Sequence, residues 1–332
     1  MTTKLRVACG ILAMVHGVAL LADFVAPYPF AQQQRDFAYA PPTQIHWISR
    51  QGQFHLRPFI EQISDSGASR TYFMSLFVHG YSYRLAGLIT WDRHLFGVER
   101  PGVLFVLGSD AFGRDQFSRL VMGSRISLTA GWFAAILSLI LGSVLGSIAG
   151  LFGGWADELT MRASEASMTL PWLYLLLAGR AFLPLDVPST TSYFLFIAVV
   201  GVLGWARPAR LVRGLALSLR ERGYILAARG FGASDGYILR VHILPDALSV
   251  LVTQAALLVP QYILAEVTLS FLGLGIDEPA PSWGNMLAGV QHYNVLVSYR
   301  WMLLPALAPA LVSLCCFTIA DAMLSRRRVA PL

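Results

Sequence analysis

Long apolar runs alternate with polar stretches of very different length along this chain of 332 residues. Residues 7–22 carry no charge, and Phe24, Val25 and Ala26 extend them into a first membrane span. Residues 126–156 are again free of charge, long enough for a tilted span that continues beyond the hydrocarbon. Residues 166–183 predict a third span, with Pro171 near its start and Arg180 at the outer interface near its end. Residues 192–206 form the core of a fourth, 247–271 a fifth with Pro260 as the expected kink, and 301–320 a sixth. The fold class this pattern predicts is an all-α polytopic membrane protein with six transmembrane helices and an N-terminal extracytoplasmic insert.

The polar interludes set the domain plan. Residues 1–26 are the first transmembrane helix, and 27–122 are a soluble insert interrupted by prolines, glutamines and scattered charges. Within it, residues 45–48 and 53–56 read as the arms of a hairpin. Residues 123–325 hold the other five spans, with a cytoplasmic loop at 219–246, and 326–332 are a cytoplasmic basic tail. Arginine placement gives the orientation: residues 207–246 hold seven arginines and the tail three, whereas the short loops at 184–190 and 274–300 hold only Arg300. Both termini are therefore expected inside. The nine arginines of the insert do not oppose an outside location, because long translocated segments escape this bias.

Composition agrees with a membrane protein: 55% of residues are hydrophobic and 13% charged. The net charge of +6 follows the loops and is no sign of nucleic-acid binding. Cys9, Cys315 and Cys316 lie in apolar segments without CxxC or Cys/His spacing, so no disulfide framework or metal site is expected. His46, His55, His79 and His94 lack ligand spacing, and His16 reads as a packed histidine within the first span.

The most informative polar stretch is 220–246, RERGYILAARGFGASDGYILRVHILPD. Residues 221–231 favour helix, with Tyr224, Ala228 and Phe231 sharing a face at i, i+4 and i+7. Gly232 is placed to end that helix, and Ser234 and Asp235 to cap the next. Ala227 and Ala228 leave the face shallow enough for another surface to approach. By chemistry alone, the favoured reading of this stretch is a basic amphipathic helix resting on lipid headgroups. The order Ala227-Ala228, Gly232, Ile243-Leu244-Pro245 resembles the "EAA" loop of ABC-importer permeases, in which this helix docks into a groove on the ATPase. The family's glutamate position is Leu226 here.

Further motifs resemble the dipeptide/oligopeptide branch of the same family. Residues 108–115, GSDAFGRD, are similar to its GTDxxGRD element, with Ser109 for threonine; locally they read as a turn capped by Asp115. Residues 269–275, LSFLGLG, followed by PSWG at 281–284, resemble its LSFLGLG...PSWG signature, and Trp283, Tyr293, Tyr299 and Trp301 suit an interfacial loop. The resemblance implies a type I importer core, half of a translocation pore in the bacterial cytoplasmic membrane, for peptides or similar small solutes. It makes Tyr224, Ala227, Ala228, Phe231, Gly232 and Pro245 the ATPase-coupling candidates.

Independent of that resemblance, Gly142, Gly146 and Gly150 recur every four residues and offer a smooth face for helix packing. Glu266 is the one charge of the fifth span, about 28 Å along it and close to the outer boundary, where an interfacial or paired carboxylate is expected. Glu266 and Trp283 are candidate pathway or gate residues. The partners implied by the resemblance are a second homologous permease, two cytoplasmic ATPase subunits, an extracytoplasmic solute-binding protein and the lipid bilayer. The sequence contains no GxxxxGK[ST] loop, so ATP and Mg are expected on the ATPases and no cofactor or metal in this chain. Secondary transport would call for paired charges at the midplane, and intramembrane hydrolysis for a catalytic motif such as GxSxG or HExxH. Neither pattern is present in the sequence. The cargo stays open, non-peptide solutes such as metal chelates included, as does whether the pore is homo- or heterodimeric.

Overall fold

The computed structural model describes residues 3–49, 52–63, 69–85, 89–181 and 188–329. The chain begins with helices α1 (Thr3–Leu20) and α2 (Ala22–Val25), then four strands, β1 (His46–Ile48), β2 (Phe54–Ile63), β3 (Ser69–Leu85) and β4 (Ile89–Val98). Helices α3 (Gln116–Phe152), α4 (Gly154–Thr169), α5 (Trp172–Ala181), α6 (Ser189–Leu203) and α7 (Ala206–Arg220) follow. The chain continues with α8 (Gly223–Gly230), α9 (Asp235–Ile238), α10 (Leu244–Phe271), α11 (Trp283–Ala288), α12 (Tyr293–Ser298) and α13 (Leu307–Val329). Among the described residues, five helical stretches are long and apolar enough to cross a membrane: Thr3–Leu20, Gln116–Phe152, Thr190–Arg220, Asp235–Phe271 and Arg300–Ser325. The end of the expected third span and the loop after it, residues 182–187, lie outside the described residues, as does the Arg180 side chain.

By contacts the chain divides into two units. One comprises Met1–Leu12, Leu128–Leu269 and Leu311–Leu332; the other comprises Ala13–Ser127 and Ser270–Ala310. The sequence plan had set 27–122 apart and left 270–310 within the permease core; by contacts, 270–310 fall in the same unit as the insert.

The first unit is built from helices. Gly142, Gly146 and Gly150 lie on α3 against α7 of the same chain. A Cβ on Gly142 would stand 2.6 Å from the Pro208 side chain, and one on Gly150 2.7 Å from the carbonyl oxygen of Arg213. The four-residue repeat thus lets two backbones approach until no side chain fits between them. Ser138 donates to the Gly201 carbonyl at 2.8 Å and lies 2.9 Å from the Tyr262 hydroxyl, which ties α3, α6 and α10 where apolar surfaces alone give no direction. Arg213 grips Asp157 through both carboxylate oxygens, fixing α7 to α4, and this bond holds the Asp157 carboxyl below the usual carboxylate range.

The second unit corrects the all-α expectation. Strands β1 to β4 form one antiparallel meander in sequence order. Ile48 pairs with Phe54, and the Ser49 amide donates to the Gln53 carbonyl at 2.8 Å, which is the hairpin read from the sequence. The 17 residues of β3 serve two partners: its first part pairs with β2 and its remainder with β4. Phe59 and Ile60 are buried on β2, and His94 on β4 packs against Tyr81 and Tyr83. A small core of Ala22, Ala26, Val121 and Met122, with Tyr81 and Phe117 against it, joins α2 to the start of α3. That helix begins ten residues before the uncharged run because Asp115 caps it: its Oδ2 accepts from the Ser118 amide at 2.7 Å and hydroxyl at 2.6 Å.

Candidate functional site: an exposed loop knob and a buried arginine pair

The loop after α7 folds into a compact knob within the first unit. Ile225 of α8 is fully buried with Ala216, Leu219, Ile238 and Ile243, so one face of this eight-residue helix is anchored. Large apolar side chains on either side of Ile225 and at the helix end are uncovered: Tyr224 is 45% exposed, Leu226 55% and Phe231 94%. Burying Phe231 fully would release on the order of 2 kcal/mol, so this surface favours a partner over water. Ala227 is exposed and Ala228 half-buried, which keeps the surface between the aromatic residues low.

The helix ends as the sequence predicts. Gly232 adopts φ +86°, its amide donates to the Arg229 carbonyl at 2.9 Å, and the Ala233 amide donates to the Ala228 carbonyl at 3.0 Å. This pair of bonds is a Schellman ending, which needs a left-handed residue at the glycine position. Ser234 then caps α9 by accepting from the Tyr237 amide at 3.3 Å. Residues Leu239–Ile243 form a π turn before Pro245, which has no N–H to offer the 241 carbonyl and is itself exposed. His242 packs between the rings of Tyr224 and Tyr237, with centroids 5.6 and 5.9 Å away.

The other unit holds a charged cluster that the sequence did not single out. In the GSDAFGRD turn, Asp110 Oδ1 accepts from the amides of Phe112 and Arg114, at 2.9 and 3.0 Å, and its Oδ2 accepts from Arg114 Nε at 2.6 Å. Gly113 has φ +70° and lies against the backbone of Gln34, with no room for a side chain. Arg114 and Arg119 both donate to the carboxylate of Glu278, Arg119 Nη2 at 2.8 Å. Arg119 is 1% exposed, whereas the Glu278 side chain is 46% exposed. The GRD motif made Arg114 visible as a turn residue; its link to a glutamate 164 positions away has no local signal.

Trp283 is buried in protein. It is 1% exposed, its amide donates to the Ser127 hydroxyl at 3.1 Å and its indole N–H to the Leu120 carbonyl at 3.2 Å. Ser282 and Asn285 close a reciprocal cap around it, so the PSWG motif seats a helix start firmly against α3. Glu266 is likewise 1% exposed, buried within the first unit on α10. Among the described residues no group of His, Cys, Asp and Glu could hold a metal ion.

Residues 142–328, which include the anchored knob, match the family described as the binding-protein-dependent transport system inner membrane component. The chain belongs to that family. This permease is 38% identical to the dipeptide transport system permease protein DppC of Alkalihalophilus pseudofirmus, over 68% of this chain and 72% of that one. It is 34% identical to the oligopeptide transport system permease protein OppC of Bacillus subtilis, over 67% and 68%. It is 35% identical to the glutathione transport system permease protein GsiD of Pectobacterium atrosepticum, over 68% and 72%. The permease is thus an inner-membrane, multi-pass subunit of an ABC transport system, and the knob at 223–245 lies within the matched region.

Proposed function

We propose that this permease forms one half of the translocation pore of an importer for short peptides. The reading places six spans in the bacterial inner membrane, both termini in the cytoplasm, and the insert outside. The observation that carries it is the knob: Tyr224, Leu226 and Phe231 stand exposed on a helix fixed from behind by buried Ile225. A surface of that kind fits a groove of matching apolar character on a separate ATPase subunit. Closure of two such ATPases on ATP would push on Tyr224, Ala227, Ala228, Phe231, Gly232 and Pro245, and rigid-body movement of the spans would alternate access. A second homologous permease would complete the pore, and a soluble binding protein would deliver the peptide. ATP and Mg would reside on the ATPases.

Peptide cargo is supported by relatives named for dipeptide, oligopeptide and glutathione transport. The test is reconstitution of this chain with its partner permease, ATPases and binding protein in proteoliposomes. ATP-dependent uptake of labelled di- to pentapeptides is the expected result. Uptake of a metal chelate with no peptide uptake would replace the cargo, and solute movement without any ATPase would overturn the class.

A further inference from the structure

Beside Arg114 and Arg119 lies a cavity of about 250 Å³, lined among others by Tyr39, Phe112, Gln116, Glu278 and Met302. Two guanidinium groups and three carboxylates, Asp110, Asp277 and Glu278, line it, and the two carboxylates bonded to the arginines, Asp110 and Glu278, are not equivalent. Asp110 is tied into its turn by two backbone amides and is 5% exposed. Glu278 sits on the loop between α10 and α11, its carboxylate is bonded to the two arginines, and its side chain is nearly half exposed. Of these two, Glu278 is the one that is exposed and bonded to both arginines. Gln116 is 2% exposed; its Nε2 faces Met302 Sδ at 2.8 Å while its Oε1 has no hydrogen-bond partner. A buried amide oxygen without a donor is costly unless something else supplies one.

We propose that Arg114 and Arg119 form a binding site for the C-terminal carboxylate of a short peptide, with Glu278 as its resident competitor. This rests on the peptide reading above. Exchange of one carboxylate for another keeps the charge of the buried arginines balanced, so neither guanidinium is left unpaired at any stage. Two guanidinium groups also present the parallel N–H donors that suit a carboxylate better than a neutral carbonyl. Phe112 and Met302 give the terminal side chain apolar walls, while Glu278 swings into solvent. A peptide amide, lacking the anion, cannot displace Glu278.

The test uses the permease pair with its ATPases in nanodiscs, without the binding protein, and measures calorimetric binding of dialanine and of dialanine amide. Dialanine is expected to bind and the amide not. Glu278→Gln, which keeps the shape but removes the competing charge, is expected to tighten dialanine binding by about tenfold or more. Arg119→Gln combined with Glu278→Gln, a neutral pair, is expected to abolish it. Equal binding of dialanine and its amide overturns the site, as does an unchanged affinity in Glu278→Gln. Should the variants fail to fold, the wild-type complex decides alone: binding of dialanine without binding of its amide supports the site, and equal binding of the two, or binding of neither, overturns it. Uptake assays separate the two readings. Dialanine import without binding here defeats this site and leaves the importer standing; binding here without any peptide import defeats the cargo and leaves the site.

Discussion

A methyl group built on Gly146 would lie 2.9 Å from the Cα of Ala209, inside the contact distance of two carbon atoms. Nothing flexible stands between the two helices at this point, since the neighbouring atoms are backbone. Gly146→Ala is therefore expected to force α3 and α7 apart and to destabilise the fold by about 1–3 kcal/mol, with Gly146→Leu failing to assemble. Gly214→Ala on α7 is the counterpart, because no atom lies within 4 Å of that position; it should stabilise by roughly 0.5–1 kcal/mol. Thermal unfolding in detergent reads both, and equal effects would remove the case for backbone packing at 146.

The knob makes a prediction about which of its residues matter. Phe231, the most exposed, is expected to dominate ATPase binding, with Phe231→Ala costing about 2 kcal/mol, roughly thirtyfold in affinity. Ala228→Glu should abolish peptide-stimulated hydrolysis by placing a charge in the apolar contact. Gly232→Asp should do the same by straining a left-handed backbone position. Arg222→Ala should be mild. Co-purification of the ATPase and stimulated hydrolysis are the readouts. If basic residues mattered and these did not, the helix would be a lipid-surface element.

Asp115 gives a pH dependence. Burial pushes its carboxyl up to about 6, against the two bonds from Ser118 that favour the charged form, and Oδ1 has no partner. A carboxyl raised in the folded state stabilises it fully below the unfolded value near 4, and this contribution is lost as pH rises through 6. Wild-type stability should therefore fall between pH 4 and pH 7 by up to ~3 kcal/mol from this group. Asp115→Asn should flatten that slope while keeping the cap. Chemical denaturation at the two pH values checks it, and parallel slopes would show that the group titrates normally.

Orientation is testable by thiol labelling in a cysteine-free background, replacing Cys9, Cys315 and Cys316. Gln53→Cys, on the exposed hairpin turn, should react with an impermeant reagent in intact spheroplasts. Glu221→Cys, at the exposed end of α7, should react only after lysis. The reverse order would invert the assigned topology.

The sequence by itself determined the membrane class, the positions of five long apolar helices and the local form of the knob. Those features depend on near neighbours: an uncharged run long enough to cross, a glycine four residues after Ala228, a serine before Asp235. The glycine ladder was legible as a close-packing face for the same reason, although the sequence could not say that its partner is α7. The sheet was legible only at its first hairpin. Residues on both faces of β3 are aromatic or apolar, Phe73, Leu76 and Phe77 outward and Tyr72 and Tyr83 inward, so no alternation marks the strand. Trp283 was expected at an interface because tryptophan often sits there, but a reciprocal cap and the α3 carbonyl draw it inside. The joining of Arg114 and Arg119 to Glu278 was decided by tertiary structure alone. Arg119 and Glu278 carry no local signal and Arg114 only that of a turn, and the fold brings together groups more than 150 residues apart because two buried guanidinium groups require an anion wherever the chain can supply one.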